Sequence, residues 1–381
     1  MRLLRIIPTL NPAYGGPVAG LLATTKGLTR AGVTTEVVTL DPADAPWLAQ
    51  APVRAVGVGP GLLKPGFTMR LNQWIARNAH RFDAAIVHGI WTHASVGGAA
   101  ALARAGVPYL LYTHGMMDPW FRTAKPIKHW VKQAFWLAQG RALAGAHAVL
   151  FTAELERDMA RGAFWGPPYR ERVVSYGAHV PHVSDAGRRA FQSRLPALGG
   201  RSYMLFLSRI HSKKGCDALV RAHARVPGAP DLVLAGPDPD GLVPWLLSQG
   251  TQGRVHYAGP LYGEEKGAAL AGAEALALIS HQENFGVVLA EAMALGTPVL
   301  TTDKVNIWPV IQREGAGLIG ADTQDGAERL LKRFLSLAPQ DRTDMGTSAR
   351  AAYQRHFTPD GAVAGLVELF DEMTGLTRCA A

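Results

Sequence analysis

The stretch EALALISHQENFGVVLAEAMALGTPVL, residues 274–300, restricts the fold more than any other part of this sequence. Ala275 to Ile279 is an apolar run of strand length, Ser280 to Asn284 is polar, and Phe285 to Leu295 has the length of a short helix. Gly296 and Pro298 stop that helix, and Val299-Leu300 opens another strand. Strand, loop, helix and strand in so short a span describe one turn of an α/β fold, in which a helix returns the chain to a parallel neighbour.

Two acids in this unit need a reason. Glu283 stands where the loop meets the helix N-terminus, and Glu291 follows about two turns later, roughly 12 Å along the axis at the helical rise. N–H groups from Asn284 to Gly286 favour phosphate, and Gly286 lets a ligand approach the backbone closely. A carboxylate on each side suits a ligand with hydroxyls at both ends and a diphosphate between, which is the layout of a nucleotide sugar. Taken singly, Glu283 can merely complement the helix dipole and Glu291 can be a solvated helix residue. The pair, with Asn284-Phe285-Gly286 beside it, argues for a site.

In this combination the segment resembles the GT-B glycosyltransferases of family 4, whose signature is E-x7-E within a stretch like EGFGxxxxEAMAxGxPV. Here it reads ENFGVVLAEAMALGTPV, with Asn284 where Gly is frequent. The resemblance covers nearly the whole chain. It implies an α/β GT-B fold, two Rossmann-like domains with parallel sheets facing a central cleft. It also implies a retaining hexosyltransferase in which Glu283 holds the donor sugar's hydroxyls and Glu291 the ribose.

The alternation of short apolar runs and helical patterns supports the same architecture. Leu3 to Ile7, Thr35 to Leu40, Ala84 to Val87, Tyr109 to Tyr112 and Ala148 to Phe151 read as strands of a first sheet. Tyr203 to Leu207, Asp231 to Ala235, Val255 to Tyr257, Ala275 to Ile279 and Val299 to Thr301 read as a second. The expected division is a first, acceptor-binding domain over 1–178, an interdomain linker over 179–200 and a donor-binding domain over 201–356. Residues 357–381 would form a last helix that, by the resemblance, crosses back to the first domain.

Ligands of such sheets bind beyond the carboxyl ends of the strands. In LFLSRIHSKKGCDALVRA, Arg209 and Lys214 follow a strand and resemble the family's GRLxxxKG, whose cations hold the donor diphosphate. Two cations there can neutralise the charge that builds on a departing nucleoside diphosphate. Gly15 and Gly16, after the first strand, resemble the family's glycine loop at the donor phosphates. His114 follows a strand beside Gly115, where the family has a His near the transferred sugar. Donor binding is therefore expected of Gly15, Gly16, Arg209, Lys214, Glu283, Asn284, Phe285, Gly286 and Glu291, and catalysis of Glu283, His114, Arg209 and Lys214. His88, His93 and Asp118 lie on strand-end loops of the first half and are acceptor candidates.

Asp238 and Asp240 form an Asp-x-Asp, which binds a divalent metal in GT-A enzymes. Here it follows a strand of the second domain and matches a metal-free loop of the family, so neither a metal nor another cofactor is expected. The two cysteines, Cys216 and Cys379, have no disulfide or metal spacing. No apolar run is long enough for a membrane span and no signal peptide is evident, which points to the cytoplasm.

Charge narrows the partners. Residues 1–180 hold 19 lysines and arginines against 9 acids, and the remainder holds 20 against 21. The first half should meet an anionic partner. No nucleic-acid-binding module is evident. Residues 120–144 interleave Lys125, Lys128 and Lys132 with Trp130, Phe135 and Trp136, which suits either a buried-face surface helix or a helix touching anionic lipid. The expected reaction is transfer from GDP- or UDP-hexose to a saccharide or polyprenyl-diphosphate-linked acceptor, in cell-surface polysaccharide synthesis at the inner face of the plasma membrane. The alternatives are an inactive nucleotide-sugar-binding partner subunit and a GT-B-fold nucleotide-sugar epimerase.

Overall fold

The structure is a computed structural model that describes residues 1–63, 66–119, 126–250 and 253–375. It divides into two compact units, Met1–Gly177 with Pro359–Ala381, and Ala178–Thr358. Among the described residues, no helix is long and apolar enough to cross a membrane.

Among the described residues the first unit holds seven strands: β1 Arg2–Ile7, β2 Thr34–Pro42, β3 Arg54–Gly59, β4 Ala84–His88, β5 Tyr109–Tyr112, β6 Ala148–Phe151 and β7 Glu171–Val173. They pair in parallel in the order β3-β2-β1-β4-β5-β6-β7. Strands buried on both faces read as nearly continuous apolar runs, and Leu110, Leu111, Leu150 and Phe151 are all fully buried. One face packs on the helices Met69–Asn78, His93–Arg104 and Pro126–Ala144 through Leu71, Ile75, Leu102 and Leu143. On the other face, Leu3, Ile86 and Leu150 meet Leu366, Leu369 and Phe370 of the last helix, Pro359–Thr374. Burial of each such side chain contributes about 1.5–3 kcal/mol. That helix groups with the first unit although it follows the second in sequence. Gly27 admits it closely, since a Cβ there would lie 2.7 Å from Val363 Cγ2.

Among the described residues the second unit has six parallel strands: β8 Tyr203–Leu207, β9 Asp231–Ala235, β10 Val255–Gly259, β11 Leu276–Leu278, β12 Val299–Thr302 and β13 Gly317–Gly320. Their order is β10-β9-β8-β11-β12-β13. Residues 179–200, expected as a linker, belong to this unit and carry the helix Asp185–Arg194. The Ser184 hydroxyl caps it by accepting from Gly187 N at 3.0 Å. A Cβ on Gly187 would lie 2.6 Å from Glu264 O, and the Phe191 ring meets Tyr203 at 5.6 Å. The segment is polar on its solvent face only; glycine and phenylalanine press its other face onto the unit.

In each sheet the order reverses beside the first strand, between β1 and β4 and between β8 and β11. Loops diverge at such a point and leave a crevice at the carboxyl ends of the strands.

Candidate functional site

At the β8/β11 reversal the loops are shaped by two glycines, one after β8 and one after β9. Gly215 has φ +65, and a Cβ there would meet Ile279 O at 1.8 Å. Gly236 has φ +138, and a Cβ there would meet Ser208 O at 1.9 Å. The loops are further joined by His281 N donating to Lys213 O at 3.0 Å and Ile210 N to Pro237 O at 2.9 Å. This frame carries Lys214 against Glu283 in an ion pair. The Glu283 backbone is fixed as well, its N–H donating to Lys304 O at 3.0 Å. Arg209 is exposed at the end of β8.

The helix after β11 is Val287–Ala294, two residues shorter at its start than the sequence pattern predicts. Gly286 caps it at φ +70, ψ +61, the left-handed region in which glycine is least strained. The helical N–H groups therefore begin at Val287. Phe285 points inward, 2% exposed, and meets Phe357 edge-on at 5.6 Å. Any contact it makes with a donor is through its backbone, because an apolar ring is held by the core. Asn284 Oδ1 accepts from Asn306 Nδ2 at 3.1 Å.

Glu291 sits one helical face along. Lys266 Nζ donates to its Oε1 at 2.6 Å, while Oε2 is buried without a hydrogen-bond partner among the described residues. Burial pushes the Glu291 carboxyl above the usual glutamate range, against the opposing pull of Lys266. A carboxylate oxygen only accepts, so this oxygen is matched by a donor such as a hydroxyl or a water.

Asp238 is consumed by structure. Its Oδ1 accepts from Leu242 N at 2.8 Å and its Oδ2 from Val243 N at 2.9 Å, at the start of the helix Val243–Gln249. Asp240 lies 3.9 Å from His211 Nε2.

At the β1/β4 reversal of the first unit, Gly15 has φ +81 and open space where a side chain would project. Gly16 starts the helix Gly16–Arg30. Below this loop runs a buried polar chain. Arg5, 1% exposed in the middle of β1, donates from Nη1 to Leu21 O at 2.8 Å and to Thr24 Oγ1 at 3.0 Å. Its Nε donates to His88 Nε2 at 3.2 Å, His88 Nδ1 lies 3.2 Å from His114 Nε2, and His114 Nδ1 contacts the Tyr176 hydroxyl. Burial, then the Arg5 charge, hold His88 well below the usual histidine range and His114 down to about 3.

His114 itself has φ +53, a strained conformation for a residue with a side chain, and Gly115 follows at φ +73. Glu156 holds that turn. Its buried carboxylate accepts from Thr113 Oγ1 and Gly115 N, each at 2.6 Å, and from Thr152 N and Oγ1, each at 2.7 Å.

These positions revise the acceptor candidates. His88 is 2% exposed and engaged at both nitrogens, because β4 carries it inside the sheet layer, so it cannot meet an acceptor directly. The His114 ring likewise spends both nitrogens within the unit. His93 is bonded to Asn72 Oδ1 at 2.8 Å and packs on Phe67, and burial lowers its pKa. Asp118 is half-buried on the His114 turn. Arg5, Glu156, Tyr176 and Lys266 were not among the expected site residues. An arginine inside the apolar run RLLRII was a signal for the first.

Comparison with known proteins gives the family and the fold. Residues 15–177 match the family described as glycosyl transferase 4-like domain, and residues 188–352 match glycosyl transferases group 1. A D-inositol 3-phosphate glycosyltransferase of Actinosynnema mirum is 28% identical, over 96% of this chain and 94% of its own. Sucrose-phosphate synthase from Thermosynechococcus elongatus superposes with a TM-score of 0.79 at 20% identity, covering 99% of this chain and all of its own. Anabaena HepE, solved with UDP and glucose, gives 0.77 at 19% identity, covering 98% and 100%.

Proposed function

Because the chain belongs to the group 1, family 4 glycosyltransferases and has their GT-B fold, we propose that it moves a hexose from UDP- or GDP-hexose to an anionic, lipid-linked saccharide with retention of configuration. The observation that carries the donor half is the pair of lysine-held carboxylates, Lys214 with Glu283 and Lys266 with Glu291. A nucleotide sugar satisfies both at once. Its diphosphate suits Lys214 and the exposed Arg209, its sugar hydroxyls suit Glu283, and its ribose supplies donors to the orphaned Glu291 Oε2. The HepE complex with UDP and glucose makes UDP-glucose the first donor to try.

In this reading the bond from the anomeric carbon to the β-phosphate oxygen breaks with its electron pair leaving on the diphosphate. The acceptor hydroxyl attacks the same face, and its proton passes to the departing phosphate oxygen. Arg209 and Lys214 stabilise the charge that develops there. No metal is required for that step, and the Asp238 carboxylate is already committed as a helix cap. The first unit carries the acceptor, and the positive excess of residues 1–180 suits a phosphate-bearing one. The inositol 3-phosphate named for the Actinosynnema relative is of the same charge class.

The test is a thermal-shift and turnover panel of UDP- and GDP-hexoses on wild type and Glu283→Ala. The cognate donor should raise Tm in proportion to its occupancy. Glu283→Ala should keep the shift given by the bare nucleoside diphosphate and lose about 10²–10³-fold in transfer. Turnover within a few-fold of wild type would defeat the assignment.

A further inference from the structure

We infer that Arg5, acting through His88, fixes which nitrogen of His114 carries its proton and so sets the direction of a hydrogen-bond chain ending on the Tyr176 hydroxyl. It rests on the proposed reading only in placing the His114 turn beside the acceptor chemistry. Arg5 and His88 are then positioning residues, remote from the reacting atoms.

The argument is one of donors and acceptors. A guanidinium only donates, so His88 Nε2, 3.2 Å from Arg5 Nε, must offer its lone pair. Neutral His88 then carries its hydrogen on Nδ1, 3.2 Å from His114 Nε2. That nitrogen must in turn accept, which leaves the hydrogen of His114 on Nδ1, facing Tyr176. The reverse direction would set an N–H of His88 against an N–H of Arg5. Protonating either ring would do the same to one of the contacts.

The described groups packed against the two imidazoles agree with this direction. Arg5 is anchored from the helix Gly16–Arg30 by Leu21 O and Thr24 Oγ1, which hold its Nη1 and aim its Nε at His88. Tyr112 lies flat against both imidazoles, with ring centroids 5.6 Å from His88 and 5.3 Å from His114, and its hydroxyl donates to Val174 O at 3.3 Å. Glu156, buried behind the turn, meets Thr113 and Gly115 in the hydrogen bonds described above. The Tyr176 end is also built: a Cβ at position 20 would fall 2.6 Å from Tyr176 Cδ1, so Gly20 is the space the ring occupies. Burial and the Arg5 charge oppose ionisation of both imidazoles. The consequence is a His114 turn whose ring keeps one orientation over the working pH range, with the hydrogen of Tyr176 Oη directed away from the imidazole.

The decisive measurement is long-range 1H–15N correlation spectroscopy of the full chain labelled with [15N]histidine, over about pH 5 to 8. Resonances are assigned by their loss in His88→Phe and His114→Phe. Both rings should show the Nδ1–H neutral pattern and neither should titrate. Arg5→Met should shift His88, and His114 with it, toward the Nε2–H form; Arg5→Lys, which still donates, should restore the pattern; Tyr176→Phe should leave His88 unchanged. In turnover with the cognate donor, Arg5→Met should lower kcat roughly ten- to hundredfold with little change in KM, as expected of lost positioning, and Arg5→Lys should recover part of it. An Nε2–H ring in wild type, or either histidine titrating as an ordinary one, overturns the inference even if Arg5→Met does not fold. The spectra do not depend on transfer, so a chain found intact in a protein without glycosyltransferase activity would sink the functional reading and leave this one standing.

Discussion

Lys266 Nζ lies 2.6 Å from Oε1 of Glu291, and the second oxygen of that carboxylate is buried with no hydrogen-bond partner among the described residues. The lysine opposes the burial that disfavours ionisation of this acid and leaves its second oxygen to a ligand. A buried acceptor that gains its hydrogen bonds only from a bound molecule is destabilising without it and strongly favourable with it.

The first prediction follows from that division. If a nucleoside diphosphate donates to Glu291 Oε2, Glu291→Gln should weaken UDP binding by about ten- to hundredfold, the range for a hydrogen bond to a charged group. Binding needs the ionised form, and burial raises the pKa of this carboxyl. Wild-type affinity should therefore fall as pH drops, with its midpoint above the usual glutamate range, and the Gln variant should show no such decline. Calorimetric titration at several pH values checks both. A pH-independent wild-type affinity would mean that Glu291 does not face the nucleotide.

Metal independence is the second. Asp238 spends both oxygens on Leu242 N and Val243 N. Transfer should persist in excess chelator, and Asp240→Asn should leave turnover within about twofold. Asp238→Ala should instead cost about 1 kcal/mol of stability through the lost cap. Complete loss of activity on chelation, restored by manganese or magnesium, would return Asp238 and Asp240 to consideration as a metal site.

The third concerns the frame under Lys214. Gly215→Ala must place a Cβ 1.8 Å from Ile279 O at φ +65, so the loop after β8 has to part from β11. The loss should exceed about 3 kcal/mol and should carry transfer activity with it, because Lys214 moves with the loop. Gly199→Ala is the control: it has φ +58, but its nearest contact would be Arg201 Nη1 at 3.8 Å, so it should cost only about 1–2 kcal/mol of backbone strain and spare activity. Comparable losses for the two, read by thermal unfolding and turnover together, would remove the argument from packing.

What could be read from the sequence follows what the physics writes locally. Strands buried on both faces declare themselves as apolar runs, so β5, β6, β8 and β9 carry the bounds the pattern predicts. β3 and β13 escaped notice because close approach replaces side chains with glycine. A Cβ on Gly59 would lie 1.8 Å from Leu40 O, and one on Gly317 1.9 Å from Val299 O. The same tightness that makes these strands pair so closely erases their β signal. At the site, Glu283 and Lys214 each stand in a local motif, but their ion pair joins two separate loops, and Lys266 reaches Glu291 from a different helix, Gly263–Ala271, so no local pattern encodes either meeting. Arg5 and Tyr176 are separated by the whole first unit in sequence and meet only through His88 and His114.

The last prediction tests the lipid surface. Lys125 lies outside the described residues, and Trp136 of the proposed aromatic face is buried at 2% exposure, so part of the basic, aromatic stretch belongs to the core. What remains outside is a compact apolar face. Trp130 is 62% exposed and Trp165 74%, their rings 6.1 Å apart, with Val131 and Leu137 also exposed. Gln133 ties the two segments together, its Nε2 donating to Trp165 O at 3.0 Å and its Oε1 accepting from Trp165 N at 3.1 Å. Indoles of this kind enter a headgroup layer, and the positive excess of residues 1–180 adds attraction to anionic lipid, about 1 kcal/mol for each cation near the surface at low salt. Wild type should therefore sediment with vesicles containing anionic lipid, less so as salt rises. Trp130→Ser with Trp165→Ser should lower that partition at least about tenfold, since burial of one large apolar side chain is worth about 1.5–3 kcal/mol. Transfer to a short soluble acceptor should be unchanged, because neither tryptophan belongs to the donor site. Equal partition onto anionic and neutral vesicles, insensitive to salt and to the double substitution, would rule out the membrane face and leave a soluble anionic acceptor as the partner of the basic half.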